Sequence, residues 1–306
     1  ALRSSDPNDL SVAHRMLGFS RLYSGRYDEA LAESARMLKT FVPTSTHAHL
    51  VRFRGDQRAL GESLRAQVLW TVGKYEDARS AARMSVEIAQ AAAHPPSLVH
   101  ALAYAACPIY LLTGDPSETD GYLELLRNES AKHGFVHWQL WSRYYSGIAA
   151  ARRQNIVTAR RSLTEAFTEL ARAIRPIRLL PFLSAHLAVL EDEAAERFGR
   201  GIEQSLFEAR KNQDAWALHE LTRLQGVVML QRHGNPELAT HLFREAFNLA
   251  RAQGALTYAL RAAMSLQSCA DAAGGSEDGR AALTDVLSHF VSNEPSPELL
   301  QAQQLL

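Results

Sequence analysis

The sequence predicts an all-α protein, an α-solenoid of about seven helical hairpins in a row, and three observations carry that prediction. The first is a repeated phrase. YSGRYDEALAESARM (23–37) and TVGKYEDARSAARMS (71–85) both run Gly, a basic residue, Tyr, two acids and Ala into a helical stretch, and recurrence of this kind marks stacked supersecondary units. The second is apolar spacing of three and four with no convincing period-two run. The third is helix punctuation between the candidate units, in FVPTSTH, AHPPSLV, KHGFVHW, IRPIRLL, KNQDAW and AQGALTY.

Taking the turn Gly as a marker orders the elements. It falls at Gly25, Gly73, Gly114, then Gln154, Gly234 and Gly274, in steps of 48, 41, 40, 80 and 40 residues. The doubled step predicts a degenerate unit turning near Ala194, inside LEDEAAERF, so the period is about 40 residues. Five positions after each marker stand Ala30, Ala78, Thr119, Ala159, Ala239 and Gly279, mostly small; seven before stand Gly18, Ala66, Cys107, Gly147, Val227 and Gln267, small in the first four. Small side chains on both sides of a turn let two helices cross closely, where a larger group would force the backbones apart.

Both flanks read as helix. Ala30, Leu31, Ser34, Met37, Leu38 and Phe41 share one face after the first turn, as do Leu238, Leu242, Phe243, Ala246, Leu249 and Ala250 in the late unit. Pro108 is the misfit: it lies within the predicted helix 98–112 and should kink or split it.

Composition narrows the function classes. Lys and Arg number 33 against 33 Asp and Glu, so no whole-molecule field favours nucleic acid or an anionic membrane. No run approaches 18 uninterrupted apolar residues, and the opening ALRSSDPNDLSVAHRM lacks a secretory pattern. It does not begin with Met, and the reading is of a fragment of a longer polypeptide, residues 1–306 forming a single repeat array. Two cysteines make no disulfide framework, which fits a reducing, cytoplasmic setting. Cys107 sits in the small-residue column and is expected to pack in the core, with Cys269 several units away from it.

No catalytic or cofactor chemistry is expected. GDQRALGES (55–63) lacks the Lys and the spacing of a phosphate loop. His47 with His49, and His133 with His137, lack the Glu or Cys a zinc site would add. No metal, cofactor or enzymatic role is read here.

The spacing of Gly18, Tyr27 and Ala30 resembles the tetratricopeptide repeat, which implies a right-handed superhelix whose first helices line a concave groove. At phrase level the resemblance sharpens. VRFRGDQRALGESLRAQVLWTVGKYEDA, HPPSLVHALAYAACPIYLLTGD, HGFVHWQLWSRYYSGIAAARRQ and LFREAFNLARAQGALTYALRAAMSLQSCADAAG resemble the carboxy-terminal helical-repeat region of bacterial STAND-type signal-transduction ATPases, among them winged-helix transcriptional regulators. That resemblance implies ATPase and output domains upstream, and a sensor arm that controls them when an inducer or protein partner binds. A constitutive interaction scaffold without a switch is the alternative.

Two surfaces are candidates for that partner. Arg15, Phe19, Trp70, Tyr104, Trp141 and Tyr144 fall on the first helices of successive hairpins, where a row of aromatic and Arg side chains could anchor a peptide, a partner helix or a small inducer. The bland reading is that such aromatics fill the seam between hairpins. RFRGDQR gathers Arg52, Arg54 and Arg58 around Asp56, a natural helix N-cap, and could present an anion-binding edge or be an ordinary capped connector.

Overall fold

The computed structural model describes residues 5–42, 55–113, 116–170, 195–272, 277–290 and 296–306. Within them lie fourteen helices and no strand, which makes the chain an all-α array of helical hairpins. In chain order these are α1 (Pro7–Tyr23), α2 (Tyr27–Thr40), α3 (Gln57–Thr71), α4 (Tyr75–Ala91), α5 (Pro95–Thr113), α6 (Pro116–Lys132) and α7 (Val136–Arg152). They continue as α8 (Ile156–Leu170), α9 (Ala195–Lys211), α10 (Ala215–His233), α11 (Pro236–Gln253), α12 (Leu256–Ala272), α13 (Glu277–Leu287) and α14 (Pro297–Gln304). The chain packs as two compact units, 1–145 and 146–306, and the division falls within α7.

The marker column is a column of left-handed backbone. Gly25, Gly73 and Gly234 have φ of 71°, 84° and 57°, and Gln154 takes the same conformation at φ 59°. Glycine supplies this cheaply, whereas Gln154 carries the strain of a side chain there. A second left-handed column closes the connectors between hairpins, at Ala93, Gly134, Gln213 and Gly254. The turn positions Gly114, Ala194 and Gly274 lie outside the described residues.

The small-residue columns meet where the helices cross. Ala30, Ala78, Ala159 and Ala239 are fully buried, and a Cβ on Gly18 or Gly147 would run into Leu64 or Leu163. Gly279 abuts the backbone of Gln267, so both proposed members of the last pair are in contact. One assignment is corrected. In the hairpin of α10 and α11 the crossing residue is Gly226, packed on Phe243, and not Val227. The cause is helix length: α10 runs to His233, directly before its marker, whereas α1, α3 and α7 stop one residue earlier, so the crossing point shifts back by one.

Caps and small polar groups fix the ends. Asp6 Oδ1 accepts from the Asn8 N–H, Asp56 Oδ1 from those of Arg58 and Ala59, and Asn235 Oδ1 from that of Leu238. Between α3 and α4 the Ser85 hydroxyl donates to the Ala59 carbonyl at 2.7 Å, satisfying a buried polar group inside the seam. Cys107 and Cys269 are both buried and free, Cys269 in a cluster with Ala239, Phe243 and Leu266. Burial pushes the Cys107 thiol up, as suits a packing residue.

Pro108 does not break α5. The helix answers with a π turn over Leu102–Ala106, in which the Cys107 N–H bonds to the Leu102 carbonyl. In an α pattern the Ala103 carbonyl would receive Cys107; in a π pattern its donor would be Pro108, which has no N–H. The vacancy is filled from another helix, since Tyr145 Oη donates to the Ala103 carbonyl at 2.7 Å. α5 is also the one described helix long and apolar enough to span a bilayer, and its apolar character is accounted for by burial in unit 1, with Val99, Leu102, Ile109 and Tyr110 sealed from solvent.

Candidate functional site: an aromatic row on the first helices of unit 1

Four side chains from three hairpins converge in unit 1. Phe19 on α1 meets His100 on α5 edge-on, with ring centroids 6.5 Å apart. His100 packs on Tyr104, one turn later, at 4.7 Å, and both meet Trp138 on α7, at 5.9 and 5.6 Å. These separations lie in the range where aromatic pairs attract beyond their buried area. α3 packs between α1 and α5, so the contact of Phe19 with His100 passes over it, and the first helices of three hairpins share one surface.

Exposure sorts the row into a surface and its backing. Arg15, Phe19, His100, Tyr104 and Trp138 are half-buried, whereas Trp141 and Tyr144 are only 8% and 7% exposed. Trp141 lies behind Tyr104, its ring tilted against the phenol with centroids 5.1 Å apart, and its indole N–H donates to His137 Nε2 at 3.2 Å. Of the residues named from the sequence, Phe19 and Tyr104 thus line the surface, Trp141 and Tyr144 support it, and Trp70 is buried in α3. The row also uses His100 and Trp138, which the sequence reading did not name. Both were within reach: His100 precedes Tyr104 by four residues and Trp138 precedes Trp141 by three, one helical face in each case.

Arg15 holds the α1 end of the row. Its Nε donates to Gln57 Oε1 at 3.0 Å, across to α3, and burial lowers its pKa. The same charge acts on His100, whose pKa falls to about 3, chiefly because of burial and then through repulsion by Arg15. The imidazole is therefore neutral at ordinary pH. Its Nδ1 is buried without a hydrogen-bond partner, a polar atom held at a cost inside an aromatic surface.

The connector candidate divides differently. Asp56 is the N-cap anticipated for α3, and Arg58 is exposed on the first turn. Arg52 and Arg54 lie outside the described residues, as do His47 and His49. His133 and His137 contact Glu129 and Trp141.

No protein-family model and no curated protein matches the sequence. Solved structures do. One match is the structure of the Rap conjugation gene regulator of the plasmid pLS20 in complex with the Phr* peptide, at 12% identity and a TM-score of 0.68, over 97% of this chain and 76% of that one. At that identity the likeness is one of fold, a helical-repeat array followed over nearly the whole chain.

Proposed function

We propose that this chain is a regulatory protein-interaction array that takes a peptide or protein segment on the row formed by Arg15, Phe19, His100, Tyr104 and Trp138. The carrying observation is the convergence of Phe19, His100, Tyr104 and Trp138 from the first, third and fourth hairpins onto one half-buried surface. Rigid aromatic rings bury much area at low entropic cost, which is the chemistry of interaction hot spots. Buried Trp141 and Tyr144 hold that surface in place, and Arg15 adds a donor for a ligand carbonyl or carboxylate. The fold likeness to a regulator whose structure is of a complex with a peptide supports a peptide as the ligand class.

The phrases at 51–78, 94–115, 133–154 and 242–274 support a more specific setting, the sensor arm of a STAND-type ATPase whose ATPase and output domains lie upstream. In that setting the arm restrains the ATPase until an inducer binds. The inducer must bind the released arrangement more tightly than the restrained one, because equal affinity for both shifts nothing. The test is ATP hydrolysis by the parent polypeptide with and without residues 1–306. Inducer dependence that disappears with the array supports the reading; inducer dependence that survives its removal overturns it. An unchanged ATPase in a parent whose array still binds its partner points instead to the constitutive scaffold.

A further inference from the structure

Unit 2 carries a charged cluster built from the first helices of its hairpins. Glu220 and Arg223 stand on α10, Arg261 on α12 and Arg152 at the end of α7. Glu220 takes Arg223 in a two-point grip, Oε2 from Nε and Oε1 from Nη2, both at 2.9 Å, and its Oε1 also accepts from Arg261 Nη1 at 3.4 Å. Arg261 lies over the Tyr258 ring, 5.8 Å from its centroid, and Tyr258 stacks on buried His219 at 4.1 Å. Burial alone would lower the Arg261 pKa, but Glu298 and Glu220 reverse the shift and hold it above its usual value.

The second carboxylate of the cluster arrives from α14. Glu298, 6% exposed, places Oε1 against Arg261 Nη2 at 2.7 Å, Arg261 Nε at 3.1 Å and Arg152 Nη2 at 3.3 Å. Its Oε2 is buried with no hydrogen-bond partner. Two guanidinium groups thus crowd one oxygen and leave the other unused, whereas arginine pairs best with both oxygens of a carboxylate. α14 has little else to hold it: Leu299 and Ala302 are its buried apolar side chains, and Leu300 is 55% exposed. Arg152, with 35% of its side chain exposed, opens the cluster to solvent.

We propose that Arg152 and Arg261 form a binding site for the carboxylate of an acidic helical peptide, and that Glu298 fills this site as an internal occupant. Among the described residues the cluster holds three arginines and two glutamates, so withdrawing Glu298 leaves the three guanidinium groups with Glu220 as the remaining carboxylate of the cluster. Tyr258, His219 and Glu220 keep Arg261 in place for the replacement. The ligand class follows from how the site is filled now, by a Glu in the first turn of a helix with a buried Leu beside it. An external segment carrying the same Glu–Leu pair, free to engage both oxygens, competes with α14 and expels it. This site lies on different residues from the unit 1 row and does not depend on it.

The test uses the 306-residue chain and a fluorescein-labelled peptide SPELLQAQQLL, a copy of residues 296–306, titrated by anisotropy. An internal occupant acts at high effective concentration, so Glu298→Ala is expected to tighten peptide binding by about tenfold or more. Replacing the peptide's Glu by Gln, or adding Arg152→Gln to the Glu298→Ala chain, should abolish that gain. Equal affinity of the Glu298→Ala and unmodified chains, or of the Glu and Gln peptides, overturns the proposal. Should Glu298→Ala fail to fold, hydrogen exchange on the unmodified chain decides. Saturating peptide should speed exchange of the α14 amides and the Gln peptide should not, while unchanged α14 exchange overturns the proposal.

Discussion

Tyr145 on α7 and Ala103 on α5 are joined by a 2.7 Å hydrogen bond that repairs a fault left by Pro108. The π turn commits the Cys107 N–H to Leu102, Pro108 has none to offer in its place, and the phenol supplies the donor that the Ala103 carbonyl then lacks. Tyr145→Phe keeps the packing and strands a buried acceptor, so it should cost about 1–3 kcal/mol in chemical denaturation. In a Pro108→Ala background residue 108 regains its N–H, and the penalty of Tyr145→Phe should shrink.

The crossing columns predict a ranking. A Cβ on Gly279 would lie 2.8 Å from the Gln267 Cα, a backbone atom that cannot swing aside. A Cβ on Gly18 would clash with the far end of the Leu64 side chain, which can swing aside, and would meet Glu33 and the Ala30 carbonyl at ordinary contact distance. Gly279→Ala should therefore destabilise by about 1–3 kcal/mol. Gly18→Ala should cost less, and comparison of their melting curves checks the order.

Acid should weaken unit 2 before carboxylates titrate widely. Buried His219 has its pKa depressed from 6.5 to about 4, through burial first, with Glu220 opposing and Arg261 adding to the shift. Its Nδ1 accepts the Glu220 N–H at 2.9 Å, which requires the neutral ring at that atom. The unfolded chain then binds the extra proton between these values, so the stabilisation is fully present above pH 6.5 and is lost as pH falls toward 4. The loss attributable to this residue is on the order of 3 kcal/mol. His219→Phe, which keeps the stack on Tyr258, should flatten the melting temperature against pH over that window.

Much of this was legible in the sequence, because each unit must solve the same problem of crossing and turning. The left-handed turn at Gly25, Gly73, Gln154 and Gly234 follows from the 40-residue marker, and the buried alanines five positions later follow from the crossing. The assignment of Val227 failed by one residue because nothing local shows that α10 extends to His233. Pro108 announced a disturbance, but the remedy lay in Tyr145, 42 residues from the Ala103 carbonyl it serves and beyond any local pattern. The Glu298 contacts were hidden for the same reason, bridging 37 residues to Arg261 and 146 to Arg152.

Burial separates two tryptophans three residues apart. Trp141→Ala empties a site that is 8% exposed and should cost about 3–5 kcal/mol of stability. Trp138→Ala removes a half-buried ring and should leave the melting temperature closer to that of the unmodified chain. Thermal unfolding of the two variants side by side checks the division between backing and surface.

The central claim is that the Phe19–His100–Tyr104–Trp138 surface binds a peptide segment. It is tested most directly by panning a displayed random dodecapeptide library against the intact chain and measuring the affinity of enriched peptides for Trp138→Ala and Tyr104→Ala. Loss of at least tenfold in both folded variants is the predicted result. Enriched peptides that bind both variants as tightly as the unmodified chain, or no enrichment at all, would contradict it.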